Sequence, residues 1–181
     1  MTQRSAAGKR PAEPQSRGGS QKDGRAEGPP VTRETDHRRW REPVESFPFE
    51  TNVEVRFSDL DPMGHVNNAI YATYCEQGRV AFFSEVFDVR EAEGFEFILA
   101  RLEIDFRRPV LMGDPLRVGL RLSSVGTTSF AFEYRLTVRG EVVAEARSVQ
   151  VFYDYRRHTK VPIPDLFRDR VRPYLAPGVS C

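Results

Sequence analysis

Asp59-Leu60-Asp61-Pro62-Met63-Gly64-His65-Val66-Asn67-Asn68 stands between a stretch of alternating pattern and one of helical pattern. Upstream, Phe49, Val53, Val55 and Phe57 alternate with polar residues, as in a half-buried strand. Downstream, Ile70, Tyr71, Tyr74, Cys75, Gly78, Ala81 and Phe82 recur at helical spacing to about Phe87, with Asn67 as the expected N-cap. Val80 and Phe83 share this helix with Glu76, Gln77 and Arg79, so its apolar surface is broad and the helix reads as largely enclosed. Two carboxylates, a Pro/Gly turn and an Asn pair thus stand just before a helix start. The unpaired N–H groups and partial positive charge of such a start suit an oxyanion or a polarised carbonyl. A carboxylate held beside it can serve as nucleophile or general base, which is the minimal kit for acyl transfer.

Four more strand-like stretches follow. Leu102, Ile104 and Phe106 alternate with charged residues, and Leu116, Val118, Leu120 and Leu122 do so after the Met112-Gly113-Asp114-Pro115 turn. Phe130, Phe132, Tyr134, Leu136 and Val138 make the next, closed by a hairpin loop at Arg139-Gly140-Glu141. The last runs from Val142 to about Tyr155, with the small residues Ala144, Ala146 and Ser148 on one face, leaving room for an element packed closely on the sheet. Pro162 and Pro164 end this region before a short helical C-terminal piece. Short connections between successive strands favour an antiparallel sheet. The expected class is α+β, an antiparallel sheet of about five strands wrapped around one long helix. Its edges and second face need cover, which dimerisation supplies most simply.

The chain of 181 residues holds one ordinary domain. Its net charge of +1 is uneven, because residues 1–42 carry ten Lys/Arg against six Asp/Glu and no Leu, Ile or Phe. Such a composition cannot offset its ordering entropy, so residues 1–45 read as a disordered basic tail and residues 46–176 as the folded domain. The remainder carries −3, which argues against nucleic acid as the main partner. No stretch has the apolar length of a membrane span or signal h-region, and two cysteines, Cys75 and Cys181, make no disulfide framework or metal cluster. A cytoplasmic protein is expected. There is no metal-ligand spacing, glycine-rich phosphate loop or G-x-S-x-G elbow.

Val55-Arg56-Phe57-Ser58-Asp59-Leu60-Asp61, Gly64-His65-Val66-Asn67-Asn68-Ala69 with Tyr71, and Glu76 and Arg79 resemble the hotdog-fold acyl-CoA thioesterases of the 4-hydroxybenzoyl-CoA thioesterase-like branch. Phe106-Arg107-Arg108-Pro109, Gly113-Asp114 and Val151-Phe152-Tyr153-Asp154 fit as well, so the resemblance spans roughly residues 46–165. The local pattern looks most like the bacterial long-chain acyl-CoA thioesterases of fatty acid metabolism. The resemblance implies hydrolysis of an acyl-CoA to a free acid and CoA by a homodimer or homotetramer. CoA enters only as part of the substrate, with no metal or other cofactor. It implies Asp61 as the catalytic carboxylate and the Asn68 backbone N–H as the group polarising the thioester carbonyl, at a subunit interface where the residue 97–106 strand completes the partner's pocket. Other hotdog thioesterases carry the carboxylate further along the helix, where Glu76 stands here.

Each residue also has a plainer reading. Asp61 can cap its own turn, Asp59 can serve as a structural hydrogen-bond acceptor, and His65 can orient the turn rather than act as a base. Asn67 is chiefly an N-cap, Gly64 serves the turn's backbone conformation, and Glu76 with Arg79 can be an exposed helix pair. Arg107, Arg108, Arg156, Arg157 and Lys160 suit either CoA phosphates or surface salt bridges, and Tyr71 suits a substrate pocket. Asp61 attacks the carbonyl to give an anhydride or activates water, two routes that residue spacing leaves open. The rival readings are an acyl-carrier-protein or aromatic acyl-CoA thioesterase, a non-catalytic acyl-CoA-binding module, and a hotdog hydratase or dehydratase. The last calls for a different His/Asp or His/Glu arrangement, which this turn does not contain.

Overall fold

The computed structural model describes residues 47–89 and 96–181. The expected tail, residues 1–45, lies outside them. Six strands and two helices follow in the order β1 (Phe49–Val53), α1 (Ile70–Phe87), β2 (Phe97–Phe106), β3 (Leu116–Val125), β4 (Ser129–Val138), β5 (Glu141–Asp154), β6 (Thr159–Lys160) and α2 (Asp165–Val171). The long strands form one antiparallel sheet in the order β1-β3-β4-β5-β2, with β6 added to the end of β5. The expected antiparallel α+β architecture is the one observed.

The period-two pattern sends one side of every long strand to a common core. Leu116, Val118, Leu120 and Leu122 of β3 lie beside Phe132, Tyr134, Leu136 and Val138 of β4, all buried. Ala144, Ala146, Ser148 and Gln150 of β5 continue that face, opposite Phe106, Ile104, Leu102 and Leu99 of β2. Helix α1 lies across it, burying Tyr71, Tyr74, Cys75, Gly78, Arg79, Phe82 and Phe83. Gly78 sets the depth of that packing. A Cβ there would stand 2.9 Å from both Leu120 Cδ1 and Val118 Cγ1, so any larger residue must push the helix off β3. The helix ends at Asp88, in the left-handed region at φ 57°, whose N–H donates to the Phe83 carbonyl.

At the far end of α1 the core is aromatic. Phe167 of α2 packs 4.7 Å from Phe130, 5.1 Å from Phe152 and 5.4 Å from Phe87, between ring centroids. Beyond Leu120, where β1 ends, the C-terminal segment takes over beside β3, and Ala176 N–H donates to the Leu122 carbonyl. On the outer sheet face, Phe47 lies under the guanidinium groups of Arg121 and Arg135, at 4.9 and 4.7 Å.

Two sequence expectations change at the site end. The first strand stops at Val53, not Phe57, because residues 57–59 form a single 3₁₀ turn that leaves Phe57 81% exposed. The regular helix starts at Ile70 rather than directly after Asn67. Asn67 accepts the Ala69 N–H on its side chain and the Ile70 N–H on its carbonyl, closing a separate tight turn first.

Candidate active site

The segment 59–67 is a small hairpin. Asp61 N–H donates to the His65 carbonyl at 2.9 Å, Gly64 N–H to the Asp61 carbonyl at 3.0 Å, and Asn67 N–H to the Asp59 carbonyl at 2.9 Å. Gly64 makes the reversal at φ +84°, which a side chain would resist. The hairpin is pinned to the chain leading into β3, since Val66 N–H reaches the Val110 carbonyl at 2.9 Å and His65 bridges to Leu111.

Asp59 ties this hairpin to the helix. Its carboxylate, 1% exposed, accepts the Arg56 N–H at 2.9 Å, Arg56 Nη2 at 2.8 Å and the Tyr74 hydroxyl at 2.9 Å. Burial by itself raises the Asp59 pKa, but the Arg56 side chain and backbone and the Tyr74 hydroxyl outweigh it and hold the carboxyl below its usual range. The same burial, reinforced by Asp59, pushes the Tyr74 hydroxyl well above its usual range. Asp59 is therefore the structural acceptor of the pair. Tyr74, which no local pattern linked to a residue fifteen positions upstream, is its partner.

Asp61 faces the other way. Its Oδ1 accepts the Met63 N–H at 2.8 Å, the turn-capping contact, while Oδ2 stands 3.4 Å from His65 Nδ1. His65 thus has the carboxylate neighbour that spacing alone did not identify. A cleft of about 250 Å³ opens beside them, lined by His65, Val66, Asn68, Tyr71, Phe106 and the Arg107–Pro109 segment. Among the described residues the Asn68 N–H has no protein acceptor, which leaves it available at the approach to the helix. Tyr71 and Phe106 close one wall edge to face, 5.0 Å between centroids. Burial raises the Tyr71 hydroxyl above its usual pKa, against a lowering from the Val110 backbone.

The remaining candidates separate. Arg107 and Arg108 line the cleft, pairing with Glu145 and Glu141 respectively. Arg156, Arg157 and Lys160 sit around the β5–β6 turn, at the opposite end of β5 from the Ala144–Phe106 pairing beside the cleft. Within one chain they do not join the site. Glu76 is exposed and makes no ion pair with Arg79, which instead turns inward, 7% exposed, to donate to the Tyr134 hydroxyl at 3.1 Å. The exposed-pair reading of Glu76 and Arg79 is therefore replaced. The reason is that Arg79 lies on the sheet-facing side of α1. Cys75, fully buried, has its thiol pushed up to about 12 by desolvation. Among the described residues no three His, Cys, Asp or Glu side chains gather as a metal site, and no helix is long and apolar enough to cross a membrane.

Known proteins share this arrangement over most of the folded part. A thioesterase from Thermus thermophilus, solved with coenzyme A and Zn, superposes with a TM-score of 0.63 at 38% identity, over 70% of this chain and 92% of that one. The long-chain acyl-CoA thioesterase FadM of Escherichia coli is 27% identical over 127 residues, 68% of this chain and 96% of FadM. The chloroplastic acyl-acyl carrier protein thioesterase ATL3 of Arabidopsis thaliana is 29% identical over 126 residues, 67% of this chain and 66% of ATL3. Three of the curated relatives are matched over only 60–66% of their length. The hairpin, the helix behind it and strands β2 to β6 fall within residues 55–171, the span over which the chain matches, and belongs to, the thioesterase-like superfamily.

Proposed function

We propose that this chain hydrolyses an acyl-CoA thioester to a carboxylic acid and CoA at the cleft between the 59–67 hairpin, α1 and β2. The observation that carries the reading is the unpaired Asn68 N–H lining that cleft, a few residues from a carboxylate and an imidazole. The thioester carbonyl oxygen would take the Asn68 N–H, with the positive end of α1 behind it. As bond order falls at the carbonyl, negative charge grows on that oxygen and the donor strengthens. Asp61, with Oδ1 held by Met63, keeps Oδ2 for attack on the carbonyl carbon or for drawing a proton from water. The departing sulfur takes a proton to leave as the CoA thiol, and on the direct-attack route water then hydrolyses the acyl–Asp61 anhydride to release the acid and restore the carboxylate. Arg107 and Arg108 put positive charge at the cleft, suited to the phosphates of CoA or to an acidic carrier protein.

The His65–Asp61 contact favours a second assignment of the base. Asp61 at Nδ1 would orient His65, and the imidazole, which itself lines the cleft, would activate the water. His65→Gln separates the two. An Asp61 base leaves kcat of His65→Gln within about tenfold of wild type. A His65 base costs that variant about two orders of magnitude or more.

The site is also read as shared between two copies. β2 is a ten-residue edge with Leu99 and Phe106 each 46% exposed, and pairing with a second β2 would cover it. The test is steady-state hydrolysis over a panel of acyl-CoAs and acyl-carrier-protein thioesters, with Asp61→Asn as the comparison. Asp61→Asn is expected to lose roughly two orders of magnitude or more in kcat with an unchanged melting temperature. Near-wild-type turnover in that variant overturns the assignment of Asp61.

A further inference from the structure

Arg79 is a buried cation with no counter-charge. Its side chain donates to the Tyr134 hydroxyl at 3.1 Å, and it forms no ion pair among the described residues. Tyr134 Oη lies 2.5 Å from Ser148 Oγ, and Gln150 Nε2 donates to the same Ser148 oxygen at 2.5 Å. Burial pushes the Tyr134 hydroxyl up to about 12, so it remains a neutral partner and cannot cancel the arginine charge. Among the described residues the Oε1 acceptor of the fully buried Gln150 has no donor. A buried arginine left unneutralised is costly unless something else supplies the counter-charge.

The position of this cluster relates it to the cleft. Helix α1 and β2 run antiparallel and stay together at both ends, Tyr71 against Phe106 at 5.0 Å and Phe83 against Phe97 at 4.7 Å. Between those ends the sheet floor is made of the small residues Ala144 and Ala146, with Leu102 and Ile104 beside them only half-buried. Tyr71, Cys75 and Arg79 follow one another on the helix stripe above, at i, i+4 and i+8. From Tyr71 to Arg79 the helix rises about 12 Å. From Phe106 to Leu102, the residue opposite Ser148, β2 advances about 13 Å. Both lead from the reacting end to the polar cluster over a similar distance, above the small residues of β5, and the Phe83–Phe97–Phe130 aromatic block lies beyond it.

We propose that the acyl group taken here carries an oxygen acceptor at its far end, a carboxylate foremost, which pairs with Arg79 and supplies its missing counter-charge. This rests on the thioesterase reading above and adds the class of acyl group. An extended chain advances about 1.2 Å per bond, so 12–13 Å corresponds to roughly ten bonds from the thioester carbonyl to that oxygen. A plain alkyl end would leave the arginine unpaired, and sites built for a polar group reject analogues that lack it.

The test compares decanoyl-CoA, 10-hydroxydecanoyl-CoA and the mono-CoA thioester of decanedioic acid on the full chain, with Arg79→Met and Arg79→Lys. Wild type is expected to favour the carboxylate-ended thioester over decanoyl-CoA by at least about tenfold in kcat/KM, with the hydroxyl-ended one between them. Arg79→Met should remove that order and Arg79→Lys should keep part of it. Equal kcat/KM for the three substrates in wild type, or an order of preference that survives Arg79→Met, overturns the proposal while leaving the thioesterase reading intact. Absence of hydrolysis for all three defeats the thioesterase reading instead. Product binding then decides the pocket separately: decanedioate should raise the melting temperature more than decanoate in wild type, by a smaller margin in Arg79→Lys and not in Arg79→Met, and equal shifts in wild type overturn the proposal.

Discussion

Replacing Asp59 by alanine tests the tie between the site hairpin and α1. The variant loses a buried acceptor of three kinds of donor: the Tyr74 hydroxyl, the Arg56 N–H and the Arg56 guanidinium. The Tyr74 bond is buried and its acceptor is charged, so it is worth about 1.5–3 kcal/mol. The Arg56 side chain is 55% exposed, so solvent screening leaves its ion pair a minor contributor. With the backbone bond at about 1 kcal/mol, Asp59→Ala should cost about 2.5–4 kcal/mol near neutral pH. The folded-state pKa of Asp59 is depressed, so its contribution is complete above the ordinary carboxylate value of about 4. It is lost as pH falls through the lower folded value. Urea unfolding of wild type and variant at several pH values should therefore show a constant gap above about pH 5 and a narrowing gap below about 4. A cost under about 1 kcal/mol at pH 7 would refute this account, and so would a gap that stays flat or widens toward acid.

Gly78→Ala gains about 1 kcal/mol of helix propensity but forces a methyl group to 2.9 Å from Val118 and Leu120. Overpacking should win, lowering stability by about 1–2 kcal/mol in urea unfolding, and an unchanged or raised midpoint contradicts the close approach of α1 to β3. Chains lacking residues 1–42 should keep the melting temperature and acyl-CoA turnover of the full chain, as that segment's composition cannot build a core. A large loss of either would give the tail a structural role. Mixing Asp61→Ala chains with chains altered only at Leu99 of β2 should restore part of the activity after subunit exchange, whereas a fully active monomer in sedimentation excludes the shared site.

The alternation of Leu116–Leu122 and Phe130–Val138 made β3 and β4 legible almost residue by residue, because one face of each is wholly buried. The strand before the site was overextended to Phe57. The Asp59 side chain captures the Arg56 backbone there and curls the chain into a 3₁₀ turn, a local competition that hydrophobic periodicity does not register. Asp61, Gly64, His65 and Asn68 stand out in the sequence as one stretch, and the hairpin keeps them together. Which of them faces the cleft depends on how each side chain leaves the hairpin, which spacing does not register. Arg79 is the sharpest case. Its charge and its place three residues after Glu76 suggested a solvated pair, yet its position in the helical repeat, one turn after Cys75, is on the buried stripe. Tyr74 and Tyr134 became polar partners only once the sheet brought distant residues together.

The two cysteines lie in contrasting surroundings, and this bears on how the molecule can be followed in solution. Cys75 is sealed beneath the sheet-facing side of α1 with its thiol held protonated, while Cys181 is exposed at the C-terminus. A thiol-reactive chromogen added to trap released CoA should therefore titrate Cys181 first, as a burst proportional to protein, and then report turnover on a flat baseline. A maleimide fluorophore should mark the same terminus and leave the packed interior untouched. The unaltered chain thus carries its own attachment point for watching copies of itself exchange.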